Sequence, residues 1–166
     1  SRPKSALDLI GNTPLLCLDR IHRGPGRLLA KAEFTQPGGS VKDRAAKHII
    51  ETARASGALH PGRPVVEMTS GNMGAGLAVV CAIYGHPLIV TMSAGNSPQR
   101  AAMLRALGAE VVLVPQVDGT PGQVTGRDIE VAATGASRLA GERQGYYLDQ
   151  FNNPGRVAAH EGSTGP

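Results

Sequence analysis

From Pro64 onward the chain alternates apolar, β-type runs with helical segments, and no other feature limits its fold as strongly. PVVEM (64–68) precedes a predicted helix from Asn72 to Tyr84, and PLIVTM (87–92) precedes one from Pro98 to about Leu107. EVVLV (110–114) precedes a helical stretch between about Val124 and Glu142, which leads into GYYLDQ (145–150). These strands lack polar alternation, so both of their faces need covering, as in a parallel sheet. A strand–helix repeat of this kind folds as an α/β layer with right-handed crossovers: a parallel sheet with helices on both faces. Gly85 and Gly108 fall just after helices and just before strands, where a left-handed residue ends a helix.

The first third reads differently. IGNTPLLCL (10–18) and RLLAKAEF (27–34) look like a turn and two strands separated by HRGPGR. A helix then runs from Val41 to about Ser56 and stops at Gly57. Val41, Ala45, Ile49, Ile50 and Ala53 share one face of it, while Asp43, Lys47, Glu51 and Arg54 lie largely elsewhere. VDGTPGQVTG (117–126) is too glycine-rich for helix. NNPGRVAAHEGSTGP opens a further helix and then ends in a loop, which reads as a chain that is incomplete.

Composition narrows the function classes. With 166 residues, 41% hydrophobic and 18% charged, the chain suits one globular domain with a substantial core. No stretch approaches the roughly 18 apolar residues of a membrane span, and the N-terminus lacks the apolar core of a secretion signal. The net charge of +4 is carried by dispersed arginines, with no basic run interleaved with aromatics, so it does not point to nucleic acid. An anionic small molecule accounts for it equally well. His22, His48, His60, His86 and His160 are scattered without ligand spacing, which argues against a metal site. Cys17 and Cys81 lie in apolar contexts and read as buried, reduced thiols of a cytoplasmic protein.

Two segments carry chemistry. In QPGGSVKDR (36–44), Ser40 is placed to cap the helix, with Asp43 completing an S-x-x-D capping box, which puts Lys42 at the second helical position. A cation is disfavoured at that end by the helix dipole, with Arg44 and Lys47 adding like charge. Both effects ease conversion of the ammonium to the free amine that attacks an aldehyde. Gly38 and Gly39 clear space for a planar group. Position alone favours the plainer reading, a solvated lysine on an ordinary helix start. In EMTSGNMGAG (67–76), a buried strand passes through Thr-Ser-Gly-Asn into a helix, and the backbone N–H groups with the helix dipole make an anion site for a carboxylate or a phosphate. Thr69, Ser70 and Asn72 add short donors. The plainer alternative is a small-residue turn whose glycines allow close packing. The glycines follow G-x-x-G-x-G rather than the dinucleotide pattern, and no ribose-binding acid follows, so a nucleotide domain fits poorly.

Taken in order, IGNTPLL, QPGGSVKDR, TSGNMGAGLA, LGAEVVLVP, QFNNP and STGP resemble the cysteine synthase and cystathionine β-synthase family, within the fold-type II, tryptophan synthase β-like enzymes that use pyridoxal 5'-phosphate. The resemblance spans about Ile10 to Pro166. It implies that Lys42 holds the cofactor as a Schiff base and then removes the substrate's α-proton. Asn72 would bond the ring's 3′ oxygen. Thr69, Ser70, Gly71, Asn72 and Met73 would close on the substrate's α-carboxylate, with Gln150 facing the same group. The implied reaction is β-replacement on an activated serine such as O-acetylserine, with sulfide or another nucleophile, in a cytoplasmic homodimer.

Three positions depart from the family pattern: Met73 and Ser163 each stand for a threonine, and Gln36 for an asparagine. The resemblance also divides the chain. Residues 1–40 would belong to a larger cofactor domain, 41–152 would form the small α/β domain, and 153–166 would begin the return. In relatives of about twice this length, the glycine-rich phosphate cup lies beyond TGP. A chain ending at Pro166 would bind the cofactor weakly, and its alternative role is a non-catalytic half-domain that binds a carboxylate or serves in assembly.

Overall fold

The computed structural model describes residues 3–166. After a short 3-10 turn (Ala6–Leu9), strands β1 (Leu15–Cys17) and β2 (Leu29–Lys31) pair antiparallel, with Leu16 opposite Ala30. The remainder follows the strand–helix alternation: α1 (Lys42–Ala55), β3 (Val65–Met68), α2 (Asn72–Tyr84), β4 (Leu88–Ser93), α3 (Pro98–Ala106), β5 (Glu110–Val114), α4 (Gly126–Glu142), β6 (Tyr146–Tyr147) and α5 (Gly155–Ala159). The last helix widens into a π-type turn over His160–Thr164. Strands β3 to β6 form one parallel sheet in the order β5-β4-β3-β6.

Side-chain alternation sorts the strands between two cores. Val65, Leu88, Val90 and Met92 pack with Ile49 and Ile50 of α1, Leu77 and Val80 of α2, and Leu104 of α3. Val66, Met68 and Ile89 point to the other face and meet Ala132, Ala136 and Ala140 of α4. Each fully buried large aliphatic contributes roughly 1.5–3 kcal/mol, so burial on both faces holds the layers together. The parallel sheet and the helices on its two faces agree with the strand–helix pattern. Helices α2 and α3 end at Gly85 and Gly108, with φ of 74° and 93°, the left-handed geometry expected there.

Several local expectations need correcting. Strand β5 is not buried on both faces: it is an edge strand, with Leu113 47% exposed. GYYLDQ contributes only two paired residues, because Asp149 turns the chain at φ 52° just after Leu148. Helix α4 begins at Gly126 because Thr125 caps it. The Asp128 N–H donates to Thr125 Oγ1, and the Asp128 carboxylate accepts from the Thr125 N–H at 3.0 Å. The apolar face of α1 is buried as read, except that Val41 precedes the helix, and the face also carries buried Asp43 and Arg44. Cys81 is buried, its thiol pushed up to about 12 by burial, but Cys17 on the small hairpin is only half-buried. Among the described residues no helix is long and apolar enough to cross a membrane, and no group of three or more His, Cys, Asp or Glu is placed to hold a metal.

Candidate active site

Lys42 is the first residue of α1, one position earlier than the capping pattern predicts, because Val41 already has helical angles (φ −57°, ψ −19°) and occupies the cap. The Ser40 hydroxyl accepts from the Lys42 N–H at 3.1 Å. The S-x-x-D box does not close: the Asp43 carboxylate reaches across to the Gly38 N–H instead. Burial raises the Asp43 carboxyl above its usual range, with the Gly38 N–H opposing. Two glycines make this turn possible. A Cβ on Gly38 would overlap the Asp43 carboxylate, and one on Gly76 would lie 3.1 Å from Asp43 Cα, so α2 approaches the first turn of α1 only because residue 76 has no side chain.

The cations read as pressing on Lys42 are engaged elsewhere. Arg44 forms a two-pronged pair with Glu33, Nε to Oε2 at 2.8 Å and Nη2 to Oε1 at 2.7 Å, and it also donates to Thr13 Oγ1 and the Ser163 carbonyl. Arg44 holds the Glu33 carboxyl below its ordinary range. Lys47 donates to the Leu7 carbonyl at 3.0 Å. Buried Gln36 accepts from the Gly11 N–H at 3.0 Å and donates to the Ser40 carbonyl at 3.1 Å, tying the first loop of the chain to the turn before Lys42. His160 is held below its usual value by burial, reinforced by the charges of Lys42 and Arg44.

The Thr-Ser-Gly-Asn turn leaves the carboxyl end of β3, and Gln150 follows the carboxyl end of β6 beside it. The chain crosses from β3 to β4 in one direction and returns to β6 on the other side of β3, so strand order reverses here. Open parallel sheets bind ligands at such switch points, because adjacent connections diverge and leave a crevice. A cavity of about 300 Å³ lies there, and Lys42, Thr69, Ser70, Gly71, Asn72, Met73 and Gln150 all line it. The seven residues assigned cofactor or substrate roles from the resemblance therefore border one space, together with Met68, Ile129 and Phe151, which sequence reasoning did not nominate.

Within this crevice the polar groups are partly committed. Thr69 is buried and its Oγ1 accepts from the Gly71 N–H at 3.3 Å. Gln150 Nε2 donates to the Met68 carbonyl at 2.9 Å, and its side-chain amide also faces the Glu67 carboxyl. Met73 differs from the other turn residues: its side chain is 2% exposed and belongs to the apolar core with Leu77 and Leu104, so it borders the cavity from the core side. Glu67 is the unexpected neighbour. Only 1% exposed, it accepts from the Gln150 N–H at 3.4 Å, and burial pushes its carboxyl up to about 8. The lone acid in the apolar run VVEM is the signal that could have marked it. A primary amine, an amide, hydroxyls and the free N–H groups of a helix start form a donor set suited to an aldehyde and a carboxylate.

The family described as "Pyridoxal-phosphate dependent enzyme" matches residues 6–166. The chain belongs to that family. It is 42% identical over 160 residues to cysteine synthase B of Pseudomonas syringae pv. syringae, a match covering 96% of this chain and 89% of that protein. It is 42% identical over 161 residues to cysteine synthase 3 of Caenorhabditis elegans, covering 96% of this chain and 45% of the relative. The solved structure of an O-ureido-L-serine synthase superposes with a TM-score of 0.86 at 35% identity, covering 99% of this chain and 49% of that one. The fold is thus that of the fold-type II pyridoxal phosphate enzymes. The chain spans about half the length of most of these relatives, the Pseudomonas protein being the exception.

Proposed function

We propose that the complete protein carries out pyridoxal phosphate-dependent β-replacement on an activated serine of the O-acetylserine kind, using sulfide or another nucleophile, to give cysteine or a related amino acid. The observation that carries this reading is the single crevice at the strand-order reversal, onto which Lys42, the Thr-Ser-Gly-Asn turn and Gln150 all open. Similarity to cysteine synthases supports the choice of substrate class.

The residues present fit the aldehyde end of the cofactor. Lys42 Nζ would hold it covalently, and the Asn72 side chain would bond the ring's 3′ oxygen. Bound there, pyridoxal phosphate supplies an electron sink for the carbanion left by proton removal. The Lys42 amine would also take the α-proton from the substrate and could return one later, a general acid–base role open to a half-buried amine that lines the crevice. Thr69, Ser70, Gly71 and Asn72 would receive the α-carboxylate with hydroxyl and amide donors, and the Gln150 side chain would face the same group. Met73 offers no hydroxyl and braces the turn from the core. Met68, Ile129 and Phe151 wall the crevice with apolar surface, which limits water around the reacting atoms.

In the same reading, residues 1–40 belong to a larger domain and 41–152 to a smaller one, with 153–166 returning toward the larger, in a cytoplasmic homodimer. Exposed Leu15, Leu16 and Leu29 on the hairpin and Phe34 just after it support the first part, since apolar side chains left open on a hairpin want a cover.

The test uses the complete protein loaded with cofactor. Wild type is expected to show the visible absorbance of a Schiff base, trappable with borohydride, and turnover of O-acetylserine with sulfide. Lys42→Ala is expected to lose the band and the adduct and to slow turnover by at least about a hundredfold. Retention of the band in that variant overturns the assignment.

A further inference from the structure

Arg100 sits in the first turn of α3, where the helix dipole disfavours a cation and no acidic residue compensates it. Its side chain is exposed, and among the described residues it forms no salt bridge. It reaches instead to the neighbouring strand–helix turn, where Nη1 donates to the Ser70 carbonyl at 3.1 Å. The same peptide unit is held at its other end, since the Gly71 N–H donates to Thr69 Oγ1 at 3.3 Å. With both its oxygen and its N–H engaged, the Ser70–Gly71 peptide cannot rotate freely. That peptide immediately precedes Asn72, so its orientation sets the direction of the unpaired N–H groups in the first turn of α2.

The surroundings agree. A second cavity, of about 390 Å³, is lined by Ser70, Gly71, Asn72, Arg100 and Met103. It shares Ser70, Gly71 and Asn72 with the cavity that Lys42 borders, so the turn is a wall between two spaces, with Lys42 in one and Arg100 in the other. A Cβ placed on Gly71 would lie 3.8 Å from the Arg100 guanidinium, so the cation lies alongside the turn itself.

We propose that Arg100 is a positioning residue for the substrate's α-carboxylate: through the Ser70 carbonyl it fixes the turn that receives the carboxylate, and it places a positive charge behind that turn. This rests on the function proposed above. Hydrogen bonds to charged groups are worth enough that losing one is felt as a change of about tenfold in binding. Lysine at the same position keeps the charge and one donor but not the planar fork, so it recovers part of the effect.

The test again uses the complete, cofactor-loaded protein. A wild type without Schiff-base absorbance would sink the functional reading and this proposal with it. With the band present, Arg100→Ala is expected to raise KM for the amino-acid donor roughly tenfold while leaving kcat, KM for the nucleophile and the thermal midpoint near wild type. Arg100→Lys is expected to recover much of that loss. Spectral titration with L-alanine is expected to weaken by a similar factor in Arg100→Ala, while ethylamine, which lacks the carboxylate, binds both proteins alike. An unchanged donor KM in Arg100→Ala overturns the proposal. So does an equal loss for ethylamine, or a fall in kcat that tracks a lowered thermal midpoint, since either marks a general structural role.

Discussion

Glu67 shows what a buried ionisable group does to a site and to stability. Its folded value of about 8 stands above the ordinary 4.5, with burial as the main cause. Between those values the folded protein keeps a proton that the unfolded chain has released, so stability declines as pH rises through that window and levels off above it. Glu67→Gln removes this contribution. The difference in thermal midpoint between variant and wild type, which cancels the other titrating groups, is expected near zero at about pH 4 and in the variant's favour at about pH 8. A difference that stays constant across that range would show that Glu67 titrates normally. Lys42 and Asn72 could be nominated from residue type and place in a short motif, and Gln150 from the family resemblance of QFNNP alone. Glu67 left only a faint local signal, a lone acid in an apolar run, since the group it holds, the Gln150 N–H, is 83 residues away. The partner of Arg44 was likewise out of sequence reach: its guanidinium pairs with Glu33, eleven residues earlier. Lys42 itself sits one position earlier than read, because Val41 rather than Ser40 became the cap.

At the scale of elements, the contact between α1 and α2 decides whether Lys42 and Asn72 can share a crevice. Gly76 is its closest point, since an added Cβ would lie 3.1 and 3.2 Å from backbone atoms of Asp43. Backbone cannot move aside as a side-chain tip can. Gly76→Ala is therefore expected to destabilise the fold by about 1–3 kcal/mol and to weaken the Schiff-base absorbance of the complete protein. Gly162→Ala, where nothing lies within 4 Å, serves as a control expected to alter neither. Denaturant titration and the visible spectrum check both, and a Gly76→Ala protein with wild-type values in each would refute the close-approach argument. Most helices and strands were readable because apolar periodicity is local. Their ends were less so: Thr125 with Asp128 caps α4, and Asp149 in a left-handed turn cuts β6 to two residues.

Across the whole molecule, the parallel sheet and the small hairpin differ in how well they are covered. Helices shield both faces of the central strands β3 and β4, whereas the hairpin and the loops beside it expose Leu15 at 55%, Ile21 at 76% and Phe34 at 71%. Exposed apolar side chains grouped in this way mark surfaces made to be covered. The 166-residue chain alone is expected to enhance the fluorescence of an apolar-surface dye, and Leu15→Ser with Phe34→Ser to reduce that signal. Equal fluorescence from both would place the dye site elsewhere. The alternation of strands and helices, the direction of pairing and the two-sided cover of the central strands followed from sequence alone, because each rests on apolar spacing within a few residues. Strand order did not. Whether GYYLDQ pairs with β3 or extends the sheet beyond β5 depends on which face α4 covers on its return, a competition between whole surfaces. That choice created the crevice, brought Gln150 beside the Thr-Ser-Gly-Asn turn and set Arg100 behind it, and only the packed fold could make it.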